Sequence, residues 1–287
     1  MIHFKKDIRI DGEVYHVNGE RFTSVDDFLT TNDSRKQIRN EEDFTRKKAS
    51  DRSFTLVNNY DEAVDLITNG YKEALTTFNE VLKLANNTKR KVTFRNDVVG
   101  FAPIVPNAML GLPKSMVNTH ITNIKTPVID IYYDSRFNGG TDAEVFIETG
   151  KKLLTAIMTL EQSGYKVNLY WCNFKARDNT DNIDVCLLKV KDSNRALDLN
   201  RITFPIAHPA MLRVFSFDWM SKVPDGIERS GFGCGLINAY SEEFITEFIP
   251  QLFSINAQFI HSQNIVNASV EQILEVIKNG KYVGKVH

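Results

Sequence analysis

Polar residues follow directly after an apolar run in the stretch VIDIYYDSRFNGGTD, residues 128–142. The side chains that could do chemistry there are Asp134, Ser135, Arg136, Asn138 and Thr141. Carboxylate and hydroxyl oxygens are ligands that divalent cations accept, whereas an arginine beside the start of a helix favours an anion or a partner protein. The same residue types also build ordinary turns and cap helices. The stretch therefore leaves three interpretations open: a metal site, an anion or partner contact, and a structural turn.

The elements that must position this stretch form a β-α-β pattern. Residues 126–134 are typical of a buried parallel strand, residues 142–164 of a long helix, and residues 165–174 of a second strand. Further strands are predicted at 183–192 and 256–263, and a final helix at 270–280 that Ser269 can cap. This alternation predicts an α/β fold with a mostly parallel sheet flanked by helices. Ligands of such sheets gather beyond the carboxyl ends of the strands, which is where the predicted polar residues lie.

The first 53 residues predict a β-hairpin, a short helix and a charged linker. Asp11 and Gly12 form a hairpin turn signal, and Ser24 can cap the helix that follows. Residues 34–53 are charged and poor in apolar side chains, which favours a solvated segment over a basic contact strip. Together these features predict a smaller α+β part ahead of the main domain.

Residues 54–126 predict a helical, proline-punctuated part. A short strand is predicted at 53–57, and a helix that Asn59 caps and Gly70 ends. The prolines of residues 100–127 predict an irregular connection, with a lid or a partner-binding loop as the alternative. The division into domains is then 1–53, 54–126 and 127–287.

Composition narrows the classes of protein further. Of 287 residues, 42% are hydrophobic and the formal net charge is -1, so neither bulk disorder nor an overall attraction to nucleic acid or membrane is expected. No apolar run reaches the ~18 residues of a membrane span, and residues 1–19 lack the apolar core of a signal peptide. Three cysteines without a C-x-x-C pair argue against a disulfide scaffold or a zinc site and favour a reducing compartment.

The order of elements and the loop at Asp134 resemble the von Willebrand factor A fold. In that family the first strand ends in an Asp-x-Ser-x-Ser loop that binds a divalent metal. The resemblance implies a metal such as Mg²⁺ at Asp134, but positions 136 and 138 are Arg and Asn instead of serines. An arginine beside the metal position would oppose a cation, so the sequence favours no cofactor.

A second resemblance covers more of the chain. The segments YDEAVDLITNGYKEAL, VPNAMLGLPKSMV, LDLNRITFPIAHPAMLRVFSF and RSGFGCG resemble parts of an uncharacterised bacteriophage-borne protein family. The resemblance implies a phage or prophage origin and a location in the bacterial host cytoplasm. It implies no activity.

Other groups of potentially reactive residues give a less specific indication of function. His208 with Arg213 and Asp218 could suggest catalysis, but its apolar neighbours favour a hydrogen-bonded structural histidine. The Gly-rich run at 229–236 adds Arg229 and Ser230 as contacts on a rim loop. The chain contains no G-x-S-x-G elbow, no G-x-x-x-x-G-K-[ST] loop and no H-E-x-x-H motif.

The sequence therefore favours a non-enzymatic binding protein that engages a host or phage protein, for example in counter-defence. The predicted contacts are the strand-end residues and the rim residues, namely Asp134, Ser135, Arg136, Asn138, Thr141, Arg229 and Ser230. A homo-oligomer stays open. One alternative is a divalent-metal enzyme acting on phosphates or nucleotides, in which Asp134 would act with Asp130, Asp142 or Asp218. The other alternative is a structural component of the virion.

Overall fold

The computed structural model describes residues 1–35, 51–71, 94–119, 127–138, 140–176, 181–223, 240–254 and 257–279. The strands of this part, numbered in chain order, are β1 (Ile2–Ile10), β2 (Glu13–Phe22), β3 (Phe94–Asp97), β4 (Ala102–Pro103), β5 (Met116–Thr119), β6 (Val128–Asp134), β7 (Lys166–Ala176), β8 (Asn182–Lys191) and β9 (Gln258–His261). The helices are α1 (Val25–Ser34), α2 (Arg52–Thr55), α3 (Tyr60–Asn69), α4 (Val105–Met109), α5 (Ala143–Gln162), α6 (Leu199–Ala207), α7 (Phe217–Lys222), α8 (Glu242–Leu252), α9 (Ser262–Ile265) and α10 (Val270–Asn279). A π-helix, Met211–Ser216, leads into α7.

The main sheet has the strand order β1-β2-β8-β7-β6-β9. The pairs β2–β8, β6–β7 and β6–β9 are parallel, whereas β1–β2 and β7–β8 are antiparallel. The predicted mixed α/β fold with a mostly parallel sheet is therefore confirmed. The β1–β2 hairpin turns at Asp11 and Gly12, as predicted, with φ angles of 50° and 86°. Because β2 pairs with β8, this hairpin belongs to the same sheet as strands beyond residue 127, across the predicted domain division.

Helices cover both faces of the main sheet. Successive residues of a strand point to opposite faces, so Tyr132 and Tyr170 pack with α8 while Tyr133 and Trp171 face the other side. On that second side, α5, α6 and α10 cover β6 and β7, and α1, α3 and the π-helix cover β2 and β8. The long helix α5 connects β6 to its parallel neighbour β7, which is the predicted β-α-β unit.

The predicted helix signals at Ser24, Asn59, Gly70 and Ser269 are confirmed. The Asp27 amide donates to Ser24 Oγ at 3.1 Å, and the Glu62 amide donates to Asn59 Oδ1 at 2.8 Å. Gly70 ends α3 with a φ of 97°, and Ser269 Oγ accepts from the Gln272 amide at 3.3 Å. These polar side chains satisfy amide groups that the first turn of a helix leaves without partners.

The predicted strand at 53–57 is wrong, because this segment is helix α2. The amides of Phe54 and Thr55 donate to Asp51 O at 3.0 and 2.9 Å, which closes a helical turn. Leu56 then adopts a left-handed conformation with a φ of 59° and ends the helix. The apolar pattern of SFTLV was compatible with either structure, since such a short run does not distinguish a strand from a helical turn.

Residues 94–119 form a second, three-stranded sheet with the strand order β3-β5-β4. Helix α4 lies between β4 and β5 in the chain. Both pairs are antiparallel. The prolines fit this order: Pro103 lies on an edge strand, and Pro106 lies in the first turn of α4, where a missing amide is tolerated. The described part of the predicted irregular connection is therefore partly regular. Within the described residues, no helix is long and apolar enough to cross a membrane.

Candidate functional site

The predicted strand-end residues lie where β6 and β9 end side by side. Asp134 is the last residue of β6 and pairs in register with His261 of β9 and with Cys172 of β7. All three side chains are at most 1% exposed. The strand ends therefore meet as the topology predicts, but they meet inside the protein.

Arg136 folds back onto Asp134 and satisfies its carboxylate. Arg136 Nε donates to Asp134 Oδ1 at 3.0 Å, and Nη2 donates to Oδ2 at 2.7 Å. The Arg136 amide also donates to Oδ1 at 3.2 Å, and Nη1 donates to the carbonyl oxygen of Phe174 on β7. Arg136 is 1% exposed and Asp134 is 0% exposed. The two residues form a buried ion pair that locks the end of β6 onto β7.

His261 adds a neutral imidazole to this pair. Its Nε2 lies 3.8 Å from Asp134 Oδ2, and its Nδ1 accepts from the Gln263 amide at 3.2 Å, which places the proton on Nε2. Burial lowers the pKa of His261 to about 4, although Asp134 opposes this shift. Burial also acts to raise the pKa of Asp134, but the charge of Arg136, the nearby His261 ring and the hydrogen bonds from Arg136 hold this pKa below its ordinary value.

The next residues of the loop are also held internally. Trp171 Nε1 donates to Ser135 Oγ at 2.7 Å, and Ser262 Oγ donates to the carbonyl oxygen of Arg136. Ser135 is 4% exposed. We call the group of Asp134, Ser135, Arg136, His261 and Ser262 the strand-end latch, because it joins the ends of β6 and β9 to β7.

The acidic residues considered for a metal enzyme have separate partners. Asp130 accepts from Asn168 Nδ2 at 2.7 Å, and Asp218 accepts from Lys222 Nζ at 2.7 Å. Asp142 is exposed at the start of α5, and its side chain does not cap the helix. Among the residues that the structure describes, no group of three or more His, Cys, Asp or Glu side chains could hold a metal ion. At Asp134 itself, both carboxylate oxygens accept hydrogen bonds from Arg136.

Asn138 and Thr141 differ from the latch residues because they reach the surface. Asn138 is exposed and Thr141 is half-buried. The Thr141 amide donates to Asn138 O at 3.0 Å, and the buried Arg213 donates to the carbonyl oxygen of Thr141. The accessible part of the predicted site is therefore a short turn beyond the latch. The predicted rim contacts Arg229 and Ser230 lie outside the described residues.

A second set of buried polar residues was missed by sequence reasoning. Asn173 Nδ2 donates to Ser216 Oγ on the π-helix, and Lys175 Nζ donates to the carbonyl oxygen of Met220 at 3.3 Å. Both side chains are at most 1% exposed although they lie on β7. The available signal was the run WCNFKA, in which polar residues alternate with apolar ones inside a strand that both faces bury.

His208 is a buried histidine, as predicted, and it borders a cleft. It is 3% exposed, and the Ala210 amide donates to its Nδ1 at 3.2 Å. Burial lowers its pKa to about 3, so the ring is neutral near neutral pH. Its predicted neighbours Arg213 and Asp218 are buried and form other contacts, with Thr141 O and Lys222 respectively. The structure does not bring these three residues into a catalytic arrangement.

The small sheet presents an unusual surface. Eight large apolar side chains there are between 47% and 83% exposed, namely Phe94, Val98, Val99, Phe101, Val105, Met109, Leu110 and Leu112. We call this set the apolar surface. The rings of Phe94 and Phe101 lie 6.3 Å apart between their centroids, so at least part of the set is contiguous. The prolines of this segment predicted an irregular connection, and a lid or a partner-binding loop was only the alternative interpretation.

Comparison with known proteins gives a family without an assigned activity. The family model described as "Domain of unknown function (DUF7192)" matches residues 11–277. The chain belongs to this family. The match begins at the turn between β1 and β2 and ends within α10, so both candidate regions lie inside the family domain. No curated protein and no solved structure matches the chain.

Proposed function

We propose that this DUF7192 protein is a non-enzymatic binding protein, and that it engages another protein through the apolar surface of residues 94–112. The observation that carries the proposal is the exposure of Met109 and Leu110, at 83% and 74%, together with the exposure of the neighbouring rings of Phe94 and Phe101, at 65% each. Contiguous exposed apolar side chains on this scale are typical of interaction sites. Aromatic and methionine side chains are also enriched at the centre of protein interfaces.

The architecture of the small sheet supports a role in recognition. β5 lies in the centre, so the short strands β3 and β4 are the edges of this sheet. Such edges offer backbone groups with which a partner strand can pair. The apolar side chains beside them would supply the buried area that stabilises a complex.

The strand-end latch contributes indirectly in this proposal. Asp134, Ser135 and Arg136 are buried in the chain, so their effect on a partner passes through the shape of the turn that follows. Asn138 and Thr141 are the members of the predicted set that a partner would contact at this end of the sheet. Because Arg136 donates hydrogen bonds to both carboxylate oxygens of Asp134, the pair favours such a structural role over proton transfer or metal binding.

The resemblance to a phage-borne family supports a partner of host or phage origin in the bacterial cytoplasm. Interference with a host defence complex is the setting that this origin favours. The formal net charge of -1 agrees with a protein partner better than with a nucleic acid, which would require a basic surface.

The test is a tagged pull-down from bacterial lysate with mass spectrometry, followed by calorimetry with the purified partner. The informative variant carries Phe94→Ser and Phe101→Ser, and a second variant carries Met109→Ser and Leu110→Ser. The matched control is Val128→Ser, because Val128 is 53% exposed at the start of β6 on the main sheet. A variant of Asn138→Ala and Thr141→Ala tests the turn.

We expect a stoichiometric partner whose affinity falls by at least about tenfold in either apolar variant, since interface anchors contribute more than ~1.4 kcal/mol. The control should bind like the unmodified protein. Equal binding by all variants would contradict the assigned surface. Loss in the turn variant alone would place the contact at the strand ends instead.

A further inference from the structure

A cleft of about 530 Å³ opens between helices α2 and α3. This volume lies within the usual range of small-molecule sites, ~300–1,000 Å³. Arg52 and Leu56 of the α2 segment form one wall, and Glu62, Asp65 and Leu66 of α3 form the other. The cleft lies on the α2–α3 side of the main body, and its lining includes no residue of the apolar surface.

His208 supplies a fixed hydrogen-bond donor at the base of this cleft. Its ring stacks on Phe204, with 4.6 Å between centroids, and contacts Tyr71 edge-on at 4.8 Å. Since Nδ1 accepts from the Ala210 amide, the proton of the neutral ring lies on Nε2. Nε2 has no hydrogen-bond partner among the described residues and is not sealed from solvent, because the ring lines the cleft. A side chain that is 97% buried therefore presents one unpartnered donor to the cleft.

The two walls of the cleft carry charges of opposite sign, and these charged side chains do not form ion pairs with each other. The guanidinium of Arg52 forms no hydrogen bond or ion pair with the described residues. On the facing helix, Asp65 Oδ1 accepts from Asn69 Nδ2 at 2.7 Å, which leaves Oδ2 available. Glu62 Oε2 accepts from the amide and side chain of Asn58 at 2.6 and 2.7 Å, which leaves Oε1 available.

The backbone around the cleft is held in shape. Leu56 adopts a left-handed conformation, which is uncommon for a leucine. Gly70 has a φ of 97°, and a Cβ atom there would lie 2.8 Å from the carbonyl oxygen of Asn200. Gly70 therefore holds the end of α3 in close contact with Asn200 of α6, beside the cleft.

We propose that this cleft binds a small zwitterion of the α-amino-acid class. Its carboxylate pairs with Arg52 and accepts from His208 Nε2, and its ammonium pairs with Asp65 and Glu62. Its side chain packs on Leu56, Leu66 and Tyr71. A ligand of a single charge would satisfy only one wall. The proposal is independent of the apolar surface and of any protein partner.

The test uses the full chain with the twenty L-amino acids as probes, first by thermal unfolding and then by calorimetry. Methylamine and acetate serve as probes of a single charge. We expect at least one amino acid to raise the Tm and bind, and methylamine and acetate to bind at least about tenfold more weakly, since each lost charge-assisted contact costs more than ~1.4 kcal/mol. The His208 Nε2 resonance should shift on binding of the amino acid.

Two variants in exposed positions test the walls without disturbing the core. Arg52→Gln and Asp65→Asn should each weaken binding by at least about tenfold, whereas Arg201→Gln, 74% exposed in α6 and outside the cleft, should leave it unchanged. His208→Gln adds a third arm, but its folding must be checked by circular dichroism. The proposal is overturned if no amino acid raises the Tm, if methylamine or acetate binds as tightly, or if Arg52→Gln binds like the unmodified protein.

Discussion

The two sheets of the molecule differ in the burial of their polar and apolar side chains. In the main sheet, Asp134 and Lys175 are at most 1% exposed and have internal partners. In the small sheet, Phe101 is 65% exposed, and Met109 in the adjoining α4 is 83% exposed. The main sheet therefore pairs these two buried charged groups within the chain, as buried charges generally require. The small sheet leaves large apolar side chains exposed to solvent. These side chains therefore do not contribute to the stability of the isolated chain through burial.

The largest effect should come from breaking the strand-end latch. Arg136→Met removes the cation from a buried carboxylate, so the free energy of unfolding should fall by about 3–5 kcal/mol. Urea unfolding followed by tryptophan fluorescence measures the change. The double variant Asp134→Leu, Arg136→Met removes both charges and should recover much of the loss. A change below about 1 kcal/mol in Arg136→Met would mean that the main sheet does not depend on the latch.

Acid should destabilise the main body through its buried histidines. The pKa values of His208 and His261 are lowered by burial to about 3 and about 4, against ~6.5 in the unfolded chain. Below pH ~6.5 the unfolded state binds protons that the folded state does not, so stability falls as the pH falls, by up to about 1.4 kcal/mol per pH unit for each histidine. The lowered pKa of Asp134 adds a further loss below pH ~4.

Urea midpoints between pH 7.5 and 4.5 test this dependence. His208→Gln should reduce the slope, while His3→Gln, whose side chain is 63% exposed, serves as the matched control. A midpoint that stays constant over this range would contradict the assignment of two neutral buried histidines.

A smaller effect should follow from one added methyl group between α5 and α6. A Cβ atom on Gly150 would lie 2.5 Å from the Cα and Cβ atoms of Ala207, so Gly150→Ala must separate the helices. Overpacking costs about 1–3 kcal/mol, which exceeds the ~1 kcal/mol that alanine gains over glycine in a helix. We expect a lower Tm in scanning calorimetry. A stabilised Gly150→Ala protein would show that the two helices are not in close contact.

The smallest effect on stability should come from the small sheet itself. Val99→Ser and Met109→Ser change side chains that are 73% and 83% exposed, so the free energy of unfolding should change by less than about 0.5 kcal/mol. Urea unfolding with the same protocol gives the value. A loss above about 2 kcal/mol would show that the apolar surface is covered within the chain, and the contrast between the sheets would disappear.

Periodicity and turn chemistry predicted most of the main sheet. The β6–α5–β7 unit, β9, α10 and the turn at Asp11-Gly12 follow from local signals, because each element carries its own apolar pattern or cap. The parallel pairing of β2 with β8 could not be predicted in the same way. It joins residues 166 positions apart, such as His16 and Asn182, and no local pattern specifies such a partner.

The sequence predicted the position of the strand-end residues but not their burial. Asp134 and Arg136 lie at the carboxyl end of a strand, as the topology requires. Their burial could not be read from the sequence, because it depends on β7, β9 and α9 closing over the loop. The cleft at His208 depends in the same way on α2, which the sequence presented as a strand.

The pairing of β2 with β8 also has a consequence for the time course of synthesis. A ribosome adds ~5–20 residues per second, so the β1–β2 hairpin emerges about 8 to 30 s before its neighbour β8 has been made. Throughout that interval the edge of β2 that later binds residues 182–188 has no strand beside it. Hairpins alone are marginally stable in water. The nascent chain therefore carries an unfinished sheet edge for most of its synthesis, and a chaperone that occupies this edge would raise the yield of the folded protein.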